Sequence, residues 1–166
     1  MHPLNIRSGF LFLTLLLLVS CGFALRGTDS IAAGYDSLVL DMDQPNGEFA
    51  RLLRRSLDVA NVNVENSRTA SPVLTVRNER SVSRPVSINP RARAAQYEIR
   101  LSVDIALVQD EQELVPPQTI LVERTYFEDI ANIAGNQDEV EIITAEMRRD
   151  LVNQLLRRLQ ASAVGA

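Results

Sequence analysis

Residues 96–107 read Gln-Tyr-Glu-Ile-Arg-Leu-Ser-Val-Asp-Ile-Ala-Leu, and this stretch decides the fold. Tyr97, Ile99, Leu101, Val103, Ile105 and Leu107 alternate with Gln96, Glu98, Arg100, Ser102, Asp104 and Ala106. A period of two sends the first set to one face of a strand and the second set to the other. The segment is therefore an antiparallel strand with one dry side and one wet side. Such a strand needs partners. Downstream, a turn over residues 110–117 returns the chain as residues 119–128, which are rich in β-formers. Upstream, Pro72 opens a strand in which Leu74, Val76, Val82 and Val86 share one side and Arg77, Glu79, Ser81 and Ser83 the other. Pro85 suits an edge position there, because it has no N–H to give a neighbour. With a turn at residues 89–93, the three long strands make a hairpin-connected meander.

The dry side of this meander needs a cover. Phe49, Leu52, Leu53, Ser56, Leu57 and Ala60 recur at helical spacing behind the turn Gln44-Pro45-Asn46-Gly47. Asn46 is available as the cap, and Arg51, Arg54 and Arg55 turn largely away from the apolar face. Short strands at residues 37–41 and 62–64 flank this helix. A second helix, from near Asn136 to about Gln160, gathers Val140, Met147, Leu151 and Leu155 within ~80° of arc, flanked by Ile143 and Leu159. The expected fold is α+β. It is a two-layer sandwich in which a mostly antiparallel sheet of about four strands is covered on one face by two amphipathic helices. On the reverse side of the second helix, Ile142, Ala145, Val152 and Leu156 form an apolar ridge that this packing leaves to water. A contiguous stripe of that kind marks a contact with a partner, the alternative being cover by the tether or by residues 161–166.

The N-terminus carries a different message. Arg7 precedes an apolar run from Phe10 to Val19. The run falls short of the ~20 residues needed to span a bilayer, but it fits a secretory signal. Leu18-Val19-Ser20-Cys21 has the form of a lipobox, so cleavage before Cys21 and lipid attachment to its thiol are expected. Several acyl chains on one residue make such an anchor stable. Gly22 rather than Asp follows, which suits sorting to the outer membrane with the domain on the periplasmic side. The organisation is then a removed signal at 1–20, a lipidated tether at 21–36, one domain at 37–160 and a tail at 161–166.

Cleavage removes His2, the only histidine, and the chain has no lysine and one cysteine. Disulfides, Ser–His or Cys–His pairs, Schiff-base lysines and metal sites built on imidazole or thiolate are thereby excluded from the mature form. Carboxylates remain, at Asp41 with Asp43, at residues 110–113 and at Asp138, Glu139 and Glu141. The second group reads as a solvated turn and the third as acids in the first turn of a helix. The sequence describes a protein that binds or assembles rather than catalyses, with no cofactor and no metal.

Several short motifs, in order, carry a resemblance. They are Cys21-Gly22-Phe23 with Leu25-Arg26, then Pro45-Asn46-Gly47, Gln96-Tyr97-Glu98-Ile99, Tyr126-Phe127-Glu128-Asp129, Glu146-Met147, and Gln154-Leu155 to Leu159. The chain resembles the LptE family of lipopolysaccharide-assembly lipoproteins over essentially its whole mature length. The resemblance implies a plug inside an LptD-type outer-membrane barrel, which helps assemble that barrel and assists delivery of lipopolysaccharide to the cell surface. The apolar ridge would then face the barrel wall. Some members of the family it resembles carry a basic residue just before the last helix; Asn136 stands here instead. Independently of the family, residues 77–100 hold six arginines (77, 80, 84, 91, 93 and 100) against Glu79 and Glu98, in a chain of net charge −4. Arginine's planar fork suits the phosphates of lipid A, so Arg84, Arg91 and Arg93 are the candidate contacts to lipopolysaccharide. The plainer alternative is that Arg77, Arg80 and Arg100 face cross-strand acids or solvent. Other anchored modules, such as a component of the barrel-assembly machinery or a secretin pilot, share the anchor and compact domain but have no use for a basic hairpin. Secretion and the acidic balance speak against nucleic acid.

Overall fold

The structure is a computed structural model that describes residues 35–65, 71–88, 94–129 and 132–165. Cys21, the signal, the tether to residue 34, and the turn bearing Arg91 and Arg93 lie outside the described residues. In chain order the elements are β1 (Ser37–Met42), α1 (Glu48–Val59), β2 (Asn63–Glu65), β3 (Val73–Ile88), β4 (Ala94–Gln109), β5 (Gln112–Asp129) and α2 (Ile133–Gly165). The strands form one sheet of order β2-β1-β3-β4-β5. The α+β sandwich is borne out, with five strands rather than about four. The meander β3-β4-β5 is antiparallel throughout, whereas β1 runs parallel to both β2 and β3. The helix α1 is the crossover that a parallel β1–β2 pair requires.

The alternation in β4 does what its sequence demands. Ile99, Leu101, Val103, Ile105 and Leu107 are buried and join one core with Phe49, Leu53 and Leu57 of α1 and Met147, Leu151, Leu155 and Leu159 of α2. The end of α1 is sharply made. Asn61 adopts a positive φ of 58°, Val62 N–H donates to the Leu57 carbonyl at 2.9 Å, and Asn61 N–H donates to the Asp58 carbonyl at 3.0 Å. This is the left-handed helix stop, and buried Val62 and Leu57 supply its apolar contact. At the start of α1, Gly47 rather than Asn46 occupies the cap and no side chain caps the helix. Asn46 instead offers its carbonyl to Arg51.

α2 is longer than expected at both ends. Asn132 caps it, with Oδ1 accepting the Gly135 N–H at 3.2 Å. A Cβ on residue 135 would fall 2.3 Å from the Asn132 amide nitrogen, so glycine leaves room for that cap. Asp138, Glu139 and Glu141 therefore lie beyond the first turn, and residues 161–165 continue the helix instead of forming a tail. Ser162 there shares a 2.9 Å hydrogen bond with the Tyr35 hydroxyl. The β4–β5 turn is shorter than expected. Only Asp110 and Glu111 form it, with φ of 47° and 69°, the two-residue geometry whose twist matches the flanking strands. Pro116 and Pro117 lie within β5, at the sheet edge, where the register shifts opposite Ala106.

Two expectations about faces are corrected. Val152 is 2% exposed and Leu156 7%, so the far half of the ridge on α2 belongs to the core. The reason is that α2 packs against β5 and β4 on one side and α1 on the next, which widens its buried arc to about half the helix circumference. Ala145 is half-buried, and Ile142, at 61%, is left outside. In β3 the valine alternation breaks. Arg77 pairs with Asp104 and Arg80 with Ser102, leaving Asn78 and Glu79 together opposite Val103. This β-bulge, with Asn78 at φ 56°, moves Val82 to the face opposite Leu74 and Val76.

Candidate functional site

Both helices cover one face of the sheet, and no described element covers the other. Register assigns that open face its side chains. β3 contributes Arg77, Arg80, Val82 and Arg84; β4 contributes Glu98, Arg100, Ser102 and Asp104; β5 contributes Thr119, Leu121, Glu123 and Phe127. Arg80, Val82, Arg84, Arg100 and Ser102 line one shallow depression. Phe127 is 67% exposed on the same face.

The arginines here are organised rather than free-standing. Arg84 donates to Glu98 from Nε at 2.8 Å and Nη2 at 2.8 Å, a two-pronged contact. Arg100 lies 3.8 Å from the same Glu98 oxygen and donates from Nε to Glu123 at 2.7 Å. A ladder of alternating charge, Arg84-Glu98-Arg100-Glu123, thus crosses three strands. Arg80, on the same face, has no ion pair among the described residues. At the end near β1, Arg77 lies 2.8 Å from Asp41 and 3.3 Å from Asp43. Asp41 and Asp43, the first of the carboxylate candidates, are therefore engaged by a cation. Asp104 accepts from the Thr119 hydroxyl and the Asn78 amide, and these bonds hold its carboxyl below the usual range.

Of the three arginines expected to meet lipopolysaccharide, Arg84 sits on this face, paired to Glu98. Arg77 and Arg100 do face acids, as the plainer alternative had it. The acids and Arg80 complete the face, and Glu98 in particular could have been found from the sequence, since it falls in the polar set of the alternating strand. The motifs behind the resemblance meet in space. Tyr97 pairs with Tyr126 across β4 and β5 and Gln96 with Phe127; the tyrosine rings stack with centroids 5.6 Å apart. Glu128 accepts a hydrogen bond from Tyr97 and raises the phenol above its ordinary range. Asn136 is buried in the first turn of α2, so its side chain does not extend the basic face. No helix among the described residues is long and apolar enough to cross a membrane.

The described residues thus form a helix-backed sheet module whose other face carries a ladder of arginines and carboxylates. Comparison with known proteins gives the module its family. The model of the LptE family, described as lipopolysaccharide-assembly, matches residues 35–159. The LPS-assembly lipoprotein LptE of Pectobacterium atrosepticum is 30% identical over 149 residues, covering 89% of this chain and 80% of that one. The protein of the same name from Photorhabdus laumondii is 29% identical over 148 residues, covering 89% and 81%. Among solved structures, rare lipoprotein B from Shewanella oneidensis superposes with a TM-score of 0.71 at 25% identity, covering 78% of this chain and 97% of that one. Lipoprotein B from Nitrosomonas europaea shares the fold, with a TM-score of 0.67 at 23% identity over 84% and 91% of the two chains. The chain belongs to the LptE family of lipopolysaccharide-assembly lipoproteins.

Proposed function

We propose that this protein is held at the outer membrane by lipid on Cys21, plugs and helps assemble an LptD-type barrel, and meets lipopolysaccharide through its basic open face. The observation that carries this reading is the uncovered sheet face with Arg80, Arg84 and Arg100 around one depression; Arg91 and Arg93 belong to the sequence between β3 and β4. Exposed arginines beside apolar Val82 and Phe127 match an amphiphile with phosphate groups. Glu98 and Glu123 hold Arg84 and Arg100 in place, so a phosphate would meet pre-positioned donors instead of ordering loose side chains. The barrel contact proposed for α2 is narrowed to Ile142 and Ala145.

Two experiments test the reading separately. The triple change Arg84→Asp, Arg91→Asp, Arg93→Asp should reduce lipopolysaccharide binding by more than tenfold at low salt and by less at high salt, because each screened contact is worth about 1 kcal/mol. Unchanged affinity in a folded variant refutes the assignment. For the partner, mild-detergent purification should recover a large barrel with the wild-type protein and less of it with Ile142→Asp. Recovery of several lipoproteins in place of a barrel would replace this reading with that of the barrel-assembly machinery.

A further inference from the structure

The sequence of β3 allows two registers against β4. In an uninterrupted strand Asn78 would stand opposite Val103, Arg80 opposite Leu101 and Val82 opposite Ile99. Val103 and Leu101 are both fully buried. That register would take Val82 to the helix side, but Arg80 and Arg84 with it, off the open face and away from Glu98 and Arg100. The other register inserts one residue at Asn78–Glu79 and brings Arg80 opposite Ser102, Val82 opposite Arg100 and Arg84 opposite Glu98. The molecule adopts the second.

Contacts on both faces hold the insertion. On the open side, the Asn78 N–H donates to Asp43 Oδ2 at 3.0 Å, and the Asn78 amide donates to Asp104 Oδ2 at 2.9 Å. On the helix side, Arg148 of α2 donates from Nε to Glu79 at 3.0 Å and from Nη1 to Glu48 of α1 at 2.6 Å. The positive φ of Asn78 is tolerated by asparagine and poorly by branched residues. We propose that Asn78 and Glu79 are positioning residues which lock the register of β3, so that Arg80 and Arg84 join Arg100 on the open face. In the uninterrupted register Ser81 and Ser83 would occupy that face instead. The register assignment stands on geometry alone; its consequence for ligand binding rests on the reading proposed above.

Paired cysteines in the full-length, detergent-purified protein read the register, with the chain lacking added cysteines as the blank for Cys21. Side chains directly opposite each other share a face and lie close enough to be oxidised to a disulfide, whereas neighbours one residue along do not. Val82→Cys with Arg100→Cys should therefore crosslink, and Ser81→Cys with Arg100→Cys should not. Asn78→Val resists the positive φ and offers an apolar side chain to the slot opposite Val103, so it should reverse that pattern. Asn78→Gly accepts the backbone, and deletion of Asn78 removes the extra residue without moving Arg80 from Ser102. Both should keep the 82–100 crosslink.

Lipopolysaccharide affinity, measured without the added cysteines, should fall roughly tenfold in Asn78→Val and stay near wild type in the other two. An 82–100 crosslink that survives Asn78→Val overturns the lock. If that variant does not fold, Asp43→Ala with Asp104→Ala decides, because it removes both acceptors of Asn78: loss of the 82–100 crosslink supports the lock, and an unchanged crosslink overturns it. A reversed crosslink pattern with unchanged affinity leaves the lock standing and removes the open-face arginines from the lipopolysaccharide reading.

Discussion

The two halves of β3 share one strand and one valine pattern, yet they live in different surroundings. The first half, residues 73–76, lies between β1 and β4, and Leu74 and Val76 are buried under the helices. The second half has β4 alone beside it, and residues 80–87 are all exposed. Apolar alternation therefore reports burial only where neighbours exist to bury it. The bulge at Asn78–Glu79 marks the border. Before it the strand serves the core, and beyond it the strand carries arginines.

The sharpest way to break this contrast is to charge the helix-packed side. Val152→Asp with Leu156→Asp places two carboxylates in the core, each costing several kcal/mol, and the free domain should fail to fold by circular dichroism. Retained folding would mean the ridge faces water after all. Next in size, Leu101→Ala should cost about 2–5 kcal/mol in urea denaturation, whereas Val82→Ala, 39% exposed in the second half, should cost under about 0.5. Comparable losses would erase the distinction between the two halves.

Arg148→Ala removes the cation that joins α2 to the bulge and to α1. It leaves Glu79, whose side chain is 17% exposed, without its partner. The expected loss is about 1–2 kcal/mol, between the surface and buried limits for ion pairs, and it should shrink when Glu79→Gln is made as well. Arg84→Gln, on the open ladder, should change stability by less than about 1 kcal/mol.

The smallest expected effect is one of pH. Asp104 has its carboxyl lowered first by the Thr119 hydroxyl and then by the Asn78 amide. A depressed folded-state value means that its contribution is present above the unfolded value of about 3.9 and is lost as pH falls through the folded one. Below about pH 4, wild type should therefore lose stability more steeply than Asp104→Asn; parallel curves would assign the acid sensitivity elsewhere.

Much of this architecture was legible because local chemistry and tertiary demand agree. The β4 alternation, the apolar face of α1 and the Val140-Met147-Leu151-Leu155 stripe all bury what their periods indicate. The candidate site was legible only in part. Six arginines within residues 77–100 announced a basic segment, but not that Glu98 and Glu123 would brace two of them. A hint of the bulge was present too, since Asn78 and Arg80 stand at positions where the alternation calls for apolar side chains.

By itself, then, the sequence determined the fold class, the buried face of the central strand and most of the core, because periods of two and 3.6 are properties of the chain alone. Tertiary structure decided what depends on neighbours. The parallel placement of β1 required α1 as a crossover, and Val152 and Leu156 were buried because α2 packs against the sheet and α1 together. The facing of Arg80 and Arg84 was settled by Asp43, Asp104 and Arg148, three residues remote in the chain that hold one inserted residue in place.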